Sequence, residues 1–134
     1  MKSYRYYLEI VNEIRSIIEE MNYNLSMVIV EGRNDEKVLR DIGLKIPVYR
    51  FRETGLPNFI FIEEITKKFK GKHITILLDF DEKGIEMANY LSRELESKGV
   101  KIDYHFRNTL GKLMIKEGIR HIEEISTIKR KSEI

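Results

Sequence analysis

Between Ile76 and Gly84 the chain reads ILLDFDEKG, an apolar run that ends in two aspartates, Asp79 and Asp81. A third acid, Glu31, closes a second such run, SMVIVEG at 26–32. Residues i and i+2 of an extended backbone point to the same side, so Asp79 and Asp81 can face one point. If the two runs are neighbouring strands, Glu31 shares their rim, where open α/β sheets bind ligands. Three converging carboxylates must share protons or recruit a positive partner. Mg²⁺ suits such a site, with Mn²⁺ as a substitute, because it keeps its waters and engages phosphate oxygens. The competing interpretation is a turn with helix-capping acids, which a lone D-x-D-x-x-G often is. The joint placement of the acids after the two most apolar runs favours a site. Gly32 and Gly84 follow the acids and permit tight turns or close approach of a ligand to the backbone.

Composition narrows the chemistry. There is no cysteine, which excludes a disulfide framework, a thiolate nucleophile and cysteine-bound zinc. Any metal must sit on oxygen or on His73, His105 or His121, which show no ligand spacing. A net charge of +2 in a chain that is 34% charged permits a nucleic-acid partner without demanding one. The N-terminus is charged and aromatic, and no apolar run approaches the roughly 20 residues that span a bilayer. The expectation is a cytoplasmic protein with no membrane partner.

The elements that must position the acids follow from periodicity. Tyr7, Val11, Ile14, Ile18 and Met21 form a helical stripe over 4–22, with Ser3 as N-cap. SMVIVEG lacks alternation, as a strand covered on both faces does. RNDEKVLRDIG reads as a helix, with cap-type Asn34 and Asp35 and Gly43 as its stop. IPVYRF is a strand and RETGLP a loop; Asn58 to Phe69 is a helix presenting Phe59, Ile62, Ile65 and Phe69. HITILLD at 73–79 is a second doubly buried strand, followed by a helix with Ile85, Ala88, Leu91 and Leu95 on its stripe. VKIDYHF at 100–106 alternates and reads as an edge strand. Thr109 to Glu117 and His121 to Lys129 are short helices. Strands alternating with helices give an α/β fold with a mainly parallel sheet of about four strands. At 134 residues the chain is the size of one domain, with its core over about 26–107, the helix 4–22 before it and the helices of 108–130 after it.

The pair VIVEG at 28–32 and LLDFDEKG at 77–84 resembles the signature of the Toprim domain, shared by bacterial primases, type IA and II topoisomerases, OLD-type nucleases and ribosomal-RNA maturation nucleases. The whole chain, with its EGIRHIEEI ending, looks like the small stand-alone Toprim proteins of archaea. The resemblance implies a Rossmann-like Toprim fold with helices on both faces of the sheet. It implies Glu31 as general acid/base, Asp79 and Asp81 as Mg²⁺ ligands, and a nucleic-acid substrate. Several members continue the motif with a further acid where this chain has Lys83, which counts against a two-metal arrangement and makes Lys83 a phosphate contact.

Arg33, Arg50, Arg52, Lys83 and Arg107 fall at or near predicted strand ends on the same side, where they could hold phosphates; Thr54 and Gly55 could add hydroxyl and backbone donors. Two functions compete. One is Mg²⁺-dependent phosphodiester chemistry, as a small nuclease or nucleotidyl-transfer enzyme. The other is a non-catalytic nucleic-acid-binding module, as a homodimer or within a larger processing assembly. A phosphoacceptor receiver domain carries the acidic pair after the first strand and the single acid after the third, the reverse of this order.

Overall fold

The computed structural model describes residues 2–133. In chain order the elements are α1 (Tyr4–Asn24), β1 (Met27–Val30), α2 (Arg33–Asp41), β2 (Val48–Arg50), a 3-10 turn (Phe51–Thr54), α3 (Asn58–Phe69), β3 (His73–Leu77), α4 (Glu82–Ser97), β4 (Lys101–Ile102), α5 (His105–Lys116), a 3-10 turn (Ile122–Glu124) and α6 (Ile125–Lys131). The four strands form one sheet in the order β2-β1-β3-β4, and every pairing is parallel. β1 and β3 are neighbours in register from Met27 opposite Ile74 to Val30 opposite Leu77. The chain leaves β1 for one edge and returns on its other side, so the β1/β3 junction is a topological switch point. Glu31 and Asp79 follow those two strands, as the sequence anticipated.

Side-chain alternation on the buried strands divides the core in two. Val28, Val30 and Leu77 pack with the apolar stripes of α1, α2, α5 and α6. Met27, Ile29, Ile74, Ile76 and Leu78 pack with Phe61, Ile62 and Ile65 of α3 and Ala88, Leu91 and Leu95 of α4. This is a three-layer α/β/α arrangement of Rossmann-like type. α1 starts where Ser3 accepts a hydrogen bond from the Tyr6 N–H, and Ile10, Val11, Ile14, Ile18 and Met21 are buried along it.

Several expectations need correction. The edge strand is only two residues long, and the helix that follows begins at His105. Asp103 ends the strand, donating its N–H to Ile74 O and accepting the Phe106 N–H on its carboxylate, as a cap does. Val100 and Phe106 therefore belong to opposite sides of the sheet rather than to one strand face. Phe59 and Ile85, expected on apolar stripes, are exposed.

The loop carrying the two aspartates is wedged from below. Phe80 is buried against Gly111 of α5, where an added Cβ would lie 2.5 Å from the Phe80 ring. Gly111→Ala should destabilise the fold by about 1–3 kcal/mol through overpacking, whereas truncating exposed Ile115 on the same helix should change stability by less than about 0.5 kcal/mol. Denaturant unfolding of both variants checks the contrast.

Candidate functional site

Asp79 is the buried member of the acidic cluster. It is 8% exposed, and among the described residues the only hydrogen-bond donor to its carboxylate is the Ile122 N–H, at 3.0 Å from Oδ1. Burial pushes its carboxyl above the ordinary range, and the charges of Glu31 and Asp81 add to the rise; the Ile122 N–H and His121 oppose it. Asp81 caps α4 through Oδ1, which accepts the Gly84 N–H at 2.8 Å. That bond, with His121, holds the Asp81 carboxyl below its ordinary range. An oxygen of Asp79, an oxygen of Asp81 and a ring nitrogen of His121 lie within 4.8 Å of one another.

The glycine after this pair serves the chain itself. A Cβ on Gly84 would stand 2.2 Å from the Asp79 carbonyl oxygen, so the first turn of α4 closes on the loop only without a side chain. The close approach seen there is by the protein's own backbone.

His121 is the residue that sequence reasoning passed over. Its Nε2 lies 3.1 Å from Asp81 Oδ2 and its Nδ1 2.8 Å from Glu124 Oε1. Glu124 first, then Asp79 and Asp81, raise its pKa above the ordinary imidazole value. The clue lay in EGIRHIEEI, where His121 and Glu124 stand three apart; its proximity to Asp81, forty residues earlier, is tertiary.

Glu31 faces the same rim. Its Oε2 accepts from Arg52 at 3.0 Å, and the backbone joins them again through Arg52 N–H to Glu31 O at 2.9 Å. The Glu31 side chain is largely hidden, whereas that of Arg52 is 70% exposed. Beside them lies a cleft of about 300 Å³ lined by Gly32, Arg33, Asn34, Asp35, Arg52, Glu53 and Glu123. Asp35 sits at its base, 6% exposed, with Oδ2 accepting the Gly32 N–H at 2.9 Å. Burial, reinforced by Asp79, Glu123 and Glu31, pushes its carboxyl up to about 6.

The remaining basic candidates separate. Arg33 is exposed at the cleft, 3.8 Å from Glu53. Lys83 lies exposed in the first turn of α4, beside a groove it lines with Asn58, Glu86, Met87 and Tyr90. Arg50 is engaged by Glu36 at 2.7 Å and Glu53 at 3.3 Å. Gly55, at φ 67°, terminates the 3-10 turn in left-handed backbone, and the Thr54 hydroxyl donates to Phe51 O. Arg107 is on α5 rather than at a strand end. Its guanidinium donates to the carbonyls of Ile76, Leu78 and Asp79 and lies over the Phe80 ring at 4.3 Å. Burial lowers its pKa to about 10. It braces the loop from within.

Fold and site together define a Rossmann-like α/β protein with an anionic cluster at the switch point of a parallel sheet. The chain is 31% identical to a UPF0292 protein of Pyrococcus horikoshii, over 91% of this chain and 88% of that one. It is 30% identical to a UPF0292 protein of Methanosarcina barkeri, over 95% and 85%. It belongs to the UPF0292 family, whose members named here are archaeal. A solved structure of a protein from Aquifex aeolicus aligns with a TM-score of 0.59 at 27% identity, covering 87% of this chain and 94% of that one. No family model matches the chain. The Toprim resemblance drawn from the two motifs is corrected accordingly: the relatives carry the UPF0292 name and nothing in the comparisons supports Toprim membership. No helix among the described residues is long and apolar enough to cross a membrane.

Asp35 supplies a test of the buried acidic rim. Its folded pKa lies above the unfolded value of 3.8, so the native state holds the extra proton and loses stability as pH rises from about 4 to about 6. Asp35→Asn, which cannot ionise, should gain on the order of 2 kcal/mol relative to the wild type between pH 4 and pH 7. Paired urea titrations across that range measure the difference.

Proposed function

We propose that this protein carries out divalent-cation-dependent phosphodiester chemistry on nucleic acid, most simply as a nuclease. The observation that carries the reading is the buried Asp79 carboxylate, crowded by Asp81 and Glu31 and given one backbone donor among the described residues. Two carboxylates with an adjoining imidazole form a donor set suited to Mg²⁺ or Mn²⁺, and the like charges are relieved by a cation. Asp79 and Asp81 would hold the ion. When bound, it would withdraw charge from a phosphate oxygen of the substrate.

The chain's own groups supply the rest. Arg33 and Arg52 line the neighbouring cleft with exposed guanidinium groups suited to phosphate oxygens. Engagement of Arg52 by phosphate releases Glu31, whose carboxylate then takes a proton from the attacking oxygen or returns one to the leaving oxygen. Lys83 extends the cationic contacts along the first turn of α4. A second reading, a binding module without turnover, is favoured by the Glu31–Arg52 pair, which occupies the acid that the reaction needs.

The deciding experiment is cleavage of labelled single- and double-stranded RNA and DNA in Mg²⁺, Mn²⁺ and EDTA. Metal-dependent cutting is expected, and Glu31→Gln should lower it by about 100-fold or more while changing nucleic-acid affinity by less than about threefold. Metal-dependent binding without cutting would leave the binding module. For phosphate contact, replacing Arg33 and Arg52 together by alanine should reduce the slope of log affinity against log salt by about 1.5. An unchanged slope would remove both residues from the substrate path.

A further inference from the structure

We propose that His121 is a third protein ligand of the cation at Asp79 and Asp81, that Glu124 orients it, and that the site consequently prefers Mn²⁺ to Mg²⁺. This rests on the reading of Asp79 and Asp81 as a cation site.

The segment bearing His121 is fastened to the acidic loop by backbone on both sides. The Phe80 N–H donates to Arg120 O at 2.6 Å, and the Ile122 N–H donates to Asp79 Oδ1 at 3.0 Å. The imidazole has little freedom to turn away, because Glu124 Oε1 lies 2.8 Å from Nδ1 and also accepts the His121 backbone N–H at 3.0 Å. Nε2 is thereby directed at Asp81 Oδ2, 3.1 Å away. A carboxylate on one ring nitrogen with the other free for an ion is the usual setting of a metal-bound histidine, since the carboxylate fixes tautomer and orientation. The spacing also suits coordination: two donors at right angles on an ion with bonds of ~2.1 Å stand about 3 Å apart.

Asp79 gives an independent indication of a ligand. It is more than nine-tenths buried, and among the described residues its carboxylate receives a hydrogen bond at Oδ1 alone. The second oxygen has no protein donor among the described residues and keeps contact with solvent, in a place where the neighbouring charges of Glu31 and Asp81 disfavour an anion. A cation satisfies that oxygen, Asp81 and Nε2 together. The imidazole sets the preference: Mg²⁺ takes oxygen donors, whereas first-row transition ions accept nitrogen more readily. If His121 instead serves only as a charged partner of Asp81, an ion would bind the carboxylates without it.

The test uses the full chain stripped of metal and loaded with Mn²⁺. Electron spin-echo envelope modulation should show ¹⁴N coupling from a coordinated imidazole in the wild type, lost in His121→Gln. His121→Gln should weaken Mn²⁺ about tenfold or more and Mg²⁺ by less than about threefold. Glu124→Gln should retain the coupling but weaken Mn²⁺ about tenfold. Bound Mn²⁺ without nitrogen coupling in the wild type, or coupling that survives in His121→Gln, overturns the proposal. Asp79→Asn separates the two levels. Loss of Mn²⁺ in that variant, with no nitrogen coupling in the wild type, sinks the histidine ligand alone. Unchanged Mn²⁺ affinity in it sinks the cation site itself.

Discussion

The arrangement of the rim follows from one carboxylate placed where burial strips away most of its water. Asp79 stands at the end of a strand whose side chains are buried from Ile74 onward, with like charge nearby in Glu31 and Asp81. Two devices offset the penalty. From above, the turn after α5 lays the Ile122 N–H on Oδ1. From within, Arg107 carries a buried positive charge into the same loop, and Asp79 helps keep it protonated against its own desolvation. The guanidinium donates to the carbonyls of Ile76, Leu78 and Asp79, which fixes the path of the chain from the strand end to the acid. A buried arginine bound to carbonyls is thus better suited to shaping the loop than to meeting a ligand.

The opposite side of the switch point is organised by charge in a different manner. Glu36 and Glu53 gather Arg40, Arg50 and Arg33 into a network across α2, β2 and the 3-10 turn. Its members differ in freedom. Arg50, with Glu36 at 15% side-chain exposure beside it, is tied into the scaffold, whereas Arg33 at the start of α2 and Arg52 in the 3-10 turn extend into solvent. Exposed ion pairs contribute little to stability, so Glu53 and Glu31 hold these two guanidinium groups only weakly. The rim therefore pairs a rigid anionic half with an adaptable cationic half.

How much of this was legible depended on whether a feature is local. The bounds of α3 follow from its helical periodicity and the buried character of β1 and β3 from short apolar runs that can only be covered on both faces, whereas the shared rim of Glu31 and Asp79 was legible only on condition that those strands are neighbours. The boundary of β4 was not legible, because Val100, Ile102, Tyr104 and Phe106 alternate perfectly while the backbone turns at Asp103, leaving Val100 and Ile102 in one layer, Tyr104 exposed and Phe106 in the other. Arg107 could not be placed for the same reason: a strand at 100–106 would have put it on the rim, and a helix from His105 puts it underneath. Of His121 only the pairing with Glu124 was legible in EGIRHIEEI, since no local pattern announces a partner at Asp81. The two acidic motifs invited a family assignment that the comparisons do not support, which shows that shared strand-end chemistry is weaker than shared descent.

The energetics of the cluster bear on why it exists. Asp81 and His121 are each more than 40% exposed at the side chain, so their contact stabilises the native state only slightly. Asp79 is different: a buried anion with one donor among the described residues and acidic neighbours is a net liability, and a well-packed apolar residue there would serve the fold better. The same holds for Asp35, whose burial already lifts its carboxyl to about 6. Capping explains Asp35 and Asp81, which satisfy the N–H groups of Gly32 and Gly84. It does not explain Asp79, whose one bond runs to a distant turn. A carboxylate that helix capping does not require, only partly offset by the Ile122 N–H and the Arg107 charge, is the kind of perturbed acid that clusters at functional sites, and it is the residue on which the proposed cation site turns.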